Sequence, residues 1–127
     1  MNILLDTHAA IWFFEGDERL SKSAADAICN LDNMIYISVA SLWEIALKLG
    51  NDKLTFDDGF DGFMNAIRKN EFVLLEVEPK HIKAVMNLPQ IHRDPFDRML
   101  IAQAMTEGMA IVTIDANIMK YNIGTVW

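Results

Sequence analysis

The sequence predicts one α/β/α domain over residues 1–127, with helices on both faces of a mainly parallel sheet of about five strands. Three observations lead there. Short apolar, β-branched segments alternate with segments of helical periodicity. The strand segments are almost continuously apolar, as strands covered on both faces must be. No internal repeat, low-complexity tract or linker interrupts the chain, and 127 residues suffice for one real core but not two.

The elements follow in order. Asn2–Leu5 is a short apolar run ending at Asp6 and reads as a buried strand. Thr7 starts a helix to about Phe14, with Ala9, Trp12 and Phe13 at i, i+3 and i+4 on one face. Glu15–Arg19 is a polar turn, after which Ser21 caps a helix to about Leu31. MIYIS at Met34–Ser38 is a strand by its β-branched and aromatic content. A helix over about Val39–Leu49 is expected to end at Gly50 as a C-cap. Asp57–Lys69 reads as a helix with Phe60, Phe63, Met64 and Ile67 inward, Phe72–Val77 as a strand, and Pro79–Leu88 as a helix broken by Pro89. Asp94 suits an N-cap and Pro95 the first helical position, so a helix runs from Pro95 to about Glu107, stopped by Gly108. Ala110–Ile114 is a strand ending at Asp115, and Thr125–Trp127 adds an edge strand.

Composition narrows the class of protein. The hydrophobic fraction is 52% with few Pro and Gly, which predicts a folded globular chain. The single cysteine, Cys29, allows no internal disulfide and no Cys-based metal cluster, and suits a reducing compartment. MNILLD carries no basic segment ahead of its apolar run and so does not resemble a signal peptide. The longest uncharged stretch, Asn33–Trp43, is 11 residues and too short to cross a bilayer, so no membrane association and a cytoplasmic location are expected. A net charge of −7 argues against nonspecific nucleic-acid binding, an objection that weakens if several acids converge to hold divalent cations.

Four acids occupy positions that invite such a role. Asp97 falls in the first turn of its helix, with Leu100, Ile101 and Ala104 at i+3, i+4 and i+7, so it lies on or beside the core-facing side. Asp6 and Asp115 each end a strand, on the sheet edge where α/β proteins gather functional groups. Glu44 is the only charge between Asn33 and Leu47, in SVASLWEIAL, and a buried acid there must be paired, protonated or coordinated. Each has an ordinary alternative: capping for the three aspartates, and an i,i+4 pair with Lys48 for Glu44. Together, Asp6, Glu44, Asp97 and Asp115 repel one another and call for a hard cation, Mg²⁺ or Mn²⁺. Such ions serve phosphodiester hydrolysis, with an activated water as the nucleophile.

LLDTH at Leu4–His8, SVASLWEIALK at Ser38–Lys48, HRDPFDRMLIAQA at His92–Ala104 and TID at Thr113–Asp115 resemble the PIN domain, and more narrowly the VapC-type ribonuclease toxins of toxin–antitoxin modules. The resemblance covers essentially the whole chain. It implies a single PIN-like domain with a five-stranded parallel sheet and a Mg²⁺- or Mn²⁺-dependent endoribonuclease acting on RNA. It also implies a homodimer and a VapB-like antitoxin as partner. The family's acidic quartet falls on Asp6, Glu44, Asp97 and Asp115. Around it, Asp94, Thr113, Thr7 and Ser41 are candidates for supporting hydrogen bonds, and Arg93 and Arg98 for phosphate contact. His8 and His92 stay outside the catalytic set, because a metal–hydroxide mechanism requires neither. Trp12, Phe13, Trp43 and Phe96 read as core or dimer-interface aromatics. The alternatives are a non-catalytic RNA-binding module of the same fold, or a nuclease of this type acting on DNA.

Overall fold

The structure, a computed structural model, describes residues 1–127. Five strands, β1 (Asn2–Leu5), β2 (Met34–Ser38), β3 (Val73–Leu75), β4 (Ala110–Val112) and β5 (Thr125–Val126), form one sheet in the order β3-β2-β1-β4-β5. Every neighbouring pair is parallel, with Leu5 opposite Ile37 on one side and Val112 on the other. The chain builds outward from β1 to β3, then returns to β1's other edge with β4. The strand order therefore switches beside β1, and the carboxyl ends of β1 and β4 lie at that switch point, where sheets of this kind gather functional groups.

Alternation along the strands divides the core in two. Ile3, Leu5, Ile35, Ile37 and Val112 face a layer made by α1 (Thr7–Glu15), α2 (Lys22–Cys29), α3 (Val39–Gly50) and α4 (Gly59–Lys69). Leu4 and Ile111 face the opposite layer, where α6 (Pro95–Glu107) supplies Leu100, Ile101, Ala102 and Ala104, and α7 (Ala116–Met119) supplies Ile118. Phe63 of α4 is fully buried against Phe14 and Phe56, and burying such a ring stabilises the fold by about 1.5–3 kcal/mol. Truncating it to alanine, which also leaves a cavity, costs about 3–5 kcal/mol.

On the second face α5 (Pro79–Met86) is pinned to α6. His81, fully buried, accepts the Glu78 N–H on Nδ1 and meets Glu107 through Nε2 at 2.9 Å, while Lys80 pairs with Glu107 at the same distance. Both ring nitrogens are thereby used, and this cluster is a structural tie.

Several expected boundaries shift. Helix α3 runs through Gly50 and ends at Asn51, whose N–H returns to Leu47. Two left-handed residues, Asp52 and Asp58, follow, so α4 starts at Gly59 and not at Asp57. Phe60 lies on the outer side of α4 at 40% exposure, whereas Phe63 and Ile67 point inward. The second helix stops at Cys29, α5 stops at Met86, and β3, β4 and β5 are shorter than their apolar runs. Gly16 and Gly108 end α1 and α6 at φ of 63° and 68°, a left-handed backbone that glycine adopts without a Cβ clash.

Candidate active site

The acids at the sheet's carboxyl edge are set by where helices begin. Asp6 directly follows β1 and caps α1, its Oδ1 accepting the Ala9 N–H at 2.7 Å. Asp115 caps α7 through Oδ1, which accepts the Asn117 N–H at 2.8 Å, and its own N–H donates to the Thr113 hydroxyl at 2.9 Å. Asp94 caps α6 by accepting the N–H groups of Phe96 and Asp97 on one oxygen. The capping role is thus met by Asp94, which leaves the Asp97 carboxylate free of it.

Glu44 lies on the inner side of α3, beside the buried residues Ala40, Ser41 and Ile45, with only 8% of its side chain exposed. Its Oε1 accepts a 2.6 Å hydrogen bond from the Thr7 hydroxyl and its Oε2 lies 3.1 Å from Lys48 Nζ. Ser41 Oγ, 3.0 Å from the Thr7 hydroxyl, extends this buried chain. Thr7, Ser41 and Thr113 are all buried, so the polar residues flanking the acids are ordered by packing as well as by hydrogen bonds. The i,i+4 pair with Lys48 forms, but on a buried acid, so it does not account for Glu44 as surface decoration would.

Electrostatics join the four acids. Burial, the largest influence, pushes the Asp97 carboxyl up to about 7, and the charges of Asp94, Glu44 and Asp6 push the same way against His92. Burial likewise raises Asp6, against the Thr113 hydroxyl and the Ala9 N–H, with Asp115 adding to the rise. At Asp115 partial burial is the largest influence and raises it. Hydrogen bonds from His92 and the α7 backbone, with the charge of His92, outweigh that and leave it lowered. Asp97 is the point on which the other acids press.

His92 belongs to this centre, although the sequence reading left it out. Its Nε2 stands 2.8 Å from Asp115 Oδ2 and 3.2 Å from Asp97 Oδ2, and the three atoms lie within 4.8 Å of one another. Its Nδ1 accepts the Asp94 N–H at 3.1 Å, which places the ring hydrogen on Nε2. In this tautomer His92 is a donor bridging two carboxylates, not a ligand. The signal in the sequence was the His-x-Asp spacing, which lets a cap's N–H fix the ring two residues earlier.

The two arginines part company. Arg93 is exposed beside Phe96 and Trp43 on the rim of an apolar groove of about 970 Å³. Arg98 does not fit the expected phosphate contact. It is buried, and its guanidinium donates to the carbonyls of Val85, Pro89 and His92 and to the Tyr121 hydroxyl. Those bonds turn both Nη1 and Nη2 to holding the loop that carries His92. Of the aromatics, Trp12 and Phe13 pack against the first core, whereas Trp43 is no core residue: it is 63% exposed and meets Phe96 edge-on at 5.1 Å.

The chain is similar in sequence and fold to known proteins. The chain is 25% identical over 120 residues to Ribonuclease VapC22 of Mycobacterium tuberculosis, covering 94% of this chain and 91% of that protein. Its fold is similar to the structure of VapBC2 from Rickettsia felis bound to a DNA fragment from their promoter, at a TM-score of 0.74 and 16% identity over 98% of this chain and 97% of that one. It is also similar to PAE2754 from Pyrobaculum aerophilum, at a TM-score of 0.58 and 16% identity over 98% of this chain and 87% of the other. The PIN domain model matches residues 3–123, a span that takes in all five strands but the last and every acid of the centre. By that match, the chain belongs to the PIN domain family.

Proposed function

We propose that this protein is a metal-dependent endoribonuclease, the toxin of a toxin–antitoxin pair, in which Asp6, Glu44, Asp97 and Asp115 hold the metal. The observation that carries the reading is the Asp97 carboxyl, raised first by burial and then by the charges of Asp94, Glu44 and Asp6, a cost that an oxygen-binding cation would relieve. The donor set fits a hard ion, Mg²⁺ or Mn²⁺, since every ligand offered is a carboxylate oxygen. When bound, such an ion activates a water and stabilises charge on a phosphodiester.

The chain's own groups have defined parts in this reading. Thr7 and Ser41 orient Glu44, and Thr113 orients Asp115. Asp94 starts α6 so that the Asp97 carboxylate meets His92, and His92 holds the Asp97 and Asp115 carboxylates in register. Arg93, exposed at the rim, is the candidate phosphate contact. The reading includes an RNA substrate, a homodimer, a VapB-like antitoxin as inhibitor and a cytoplasmic setting. Support for the activity comes from the likeness to Ribonuclease VapC22, and support for the partner from the likeness to the Rickettsia felis VapBC2 structure.

The test is cleavage of total RNA, with a single-stranded DNA control, in Mg²⁺, Mn²⁺ or EDTA, alongside a folded Asp97→Asn variant. RNA fragments that vanish with EDTA and with the variant are expected. Equal cutting of DNA would move the assignment to a broader nuclease. The caps made by Asp6 and Asp115 and the Glu44–Lys48 pair favour a second reading, a non-catalytic RNA-binding module. No cutting and no thermal shift with Mn²⁺ would select it.

A further inference from the structure

His92 reaches the carboxylates on a segment that the fold holds almost wholly by side-chain hydrogen bonds. The segment runs from Glu76, just after β3, through α5 to His92. Of residues 76–92 only His81, Leu88 and His92 are buried, and Leu88 alone of these is apolar. Ile82 and Met86 of α5 are 54% and 80% exposed. Outside α5, the main-chain hydrogen bonds of the segment stay within it, and none reaches the sheet or another helix.

The segment is held instead by a row of side chains on α6. Gln103 Nε2 donates to the Glu76 carbonyl at 3.1 Å, and Glu107 meets both His81 and Lys80 at 2.9 Å. Arg98 donates to the carbonyls of Val85 and Pro89 at 3.1 and 3.0 Å. Tyr121 completes the row where the segment ends, at Pro89 and His92. Water can take over every one of these bonds once the segment lifts. Gln103 is fully buried, yet its Oε1 has no donor, so closure leaves unsatisfied a polar atom that opening would hydrate.

We propose that residues 76–92 form a strap that opens from α6 as one unit, and that its closure seats His92 between Asp97 and Asp115. Little buried apolar surface and reliance on polar ties mark a segment that opens at a lower free energy than the whole protein. Because α5 is itself helical, a tie lost at one end is felt at the other. Glu107 and Asp97 stand about 15 Å apart along α6, at about 1.5 Å per residue, so Glu107 acts on His92 without touching the carboxylate centre. The strap also supplies Val77 and Val85 to the groove beside Trp43, and its closure shapes that groove as well.

The experiment is native-state hydrogen exchange on the metal-free full chain across a series of low denaturant concentrations. It reads no cleavage, so its outcome is independent of the ribonuclease reading. The α5 amides and the His92 N–H are expected to share one exchange isotherm, lying below that of the β1 and β2 amides. Glu107→Ala should raise exchange across the whole strap, His92 included, by about tenfold or more, as loss of a hydrogen bond to a charged group does, with β1 and β2 unchanged. In ¹⁵N-histidine spectra the same variant should broaden the His92 Nε2–H signal. Exchange of α5 only through global unfolding overturns the strap, as does fraying in which each amide follows its own isotherm. A His92 N–H that follows the sheet and not α5, or a Glu107→Ala effect confined to residues 78–82, overturns the link to the site. Should Glu107→Ala fail to fold, the wild-type isotherms decide both points.

Discussion

The hydroxyl of Thr7 donates a 2.6 Å hydrogen bond to Oε1 of Glu44, across 37 residues of sequence and wholly inside the protein. It joins the start of α1 to the middle of α3 and satisfies an acid that has almost no access to water. Thr7→Val keeps the shape and removes the donor. A buried carboxylate oxygen left unpaired costs about 1–3 kcal/mol, so thermal unfolding in EDTA should fall by several degrees. RNA cleavage should fall with it, while Thr7→Ser retains both. A valine variant with unchanged Tm and rate would show that the bond is incidental.

Asp97 makes stability depend on pH. Its carboxyl is raised from 3.8 to about 7, so over that interval the folded state keeps a proton that the unfolded chain has released. The folded protein binds more protons there, and stability must fall as pH rises. The contribution is fully present below pH 3.8 and is lost as pH climbs through about 7. Denaturant titrations of metal-free protein across this window should show a decline that Asp97→Asn flattens, leaving the variant more stable than wild type at the upper end. A flat wild-type profile would contradict the assignment.

Metal affinity should follow the same group. A cation that takes Asp97 as a ligand displaces its proton, so Mn²⁺ binding measured by calorimetry should strengthen as pH rises toward 8, about one unit beyond the shifted value, and proton release should accompany it below that. Binding of equal strength and no proton release across the range would place the ion elsewhere.

Tyr121 anchors the loop that presents His92. Its hydroxyl donates to the Pro89 carbonyl at 2.7 Å and accepts the His92 N–H at 2.9 Å. Tyr121→Phe strands that N–H, at a cost of about 1–3 kcal/mol. Cleavage should slow because the ring loses its fixed position between Asp97 and Asp115. Hydrogen exchange should rise at His92 before it rises in the strands; uniform protection throughout would argue against a local anchor.

Trp43 offers a test of the homodimer. It is 63% exposed at the apolar groove shared with Phe96 and Met99. Light scattering should find the wild type at twice the 14.4 kDa chain mass and Trp43→Glu at the single mass, with the fold intact because the site is exposed. A variant that remains at the doubled mass would place the interface on another face.

Much of the fold was legible because local and tertiary preferences agree. Asp94, Pro95 and Gly108 mark both ends of α6 by cap chemistry alone, and MIYIS is a strand in full. Gly50 misled because a glycine near a helix end is a cap only when the backbone turns left-handed there, and the chain turns later, at Asp52. The predicted strand Phe72–Val77 exceeds β3 because pairing with β2, not side-chain propensity, sets the strand's length. Single acids in apolar or strand-end contexts drew attention to Asp6, Glu44, Asp97 and Asp115, the carboxylates proposed to hold the metal. His92 and Arg98 were not legible, since their roles depend on which neighbour the fold supplies: a carboxylate pair for the first, a set of loop carbonyls for the second.

The helix caps bear on how this protein should be mutated. Asp6 and Asp115 each lend one oxygen to a helix terminus, and Asp94 does the same beside the centre. Replacing any of them with alanine removes a cap worth about 0.5–2 kcal/mol together with the charge, so an inactive alanine variant would confound unfolding with lost chemistry. Asparagine keeps the capping oxygen and deletes only the charge. Glu44 and Asp97 cap nothing, so alanine there removes no cap, and comparison with the isosteric Glu44→Gln and Asp97→Asn separates scaffold from reaction.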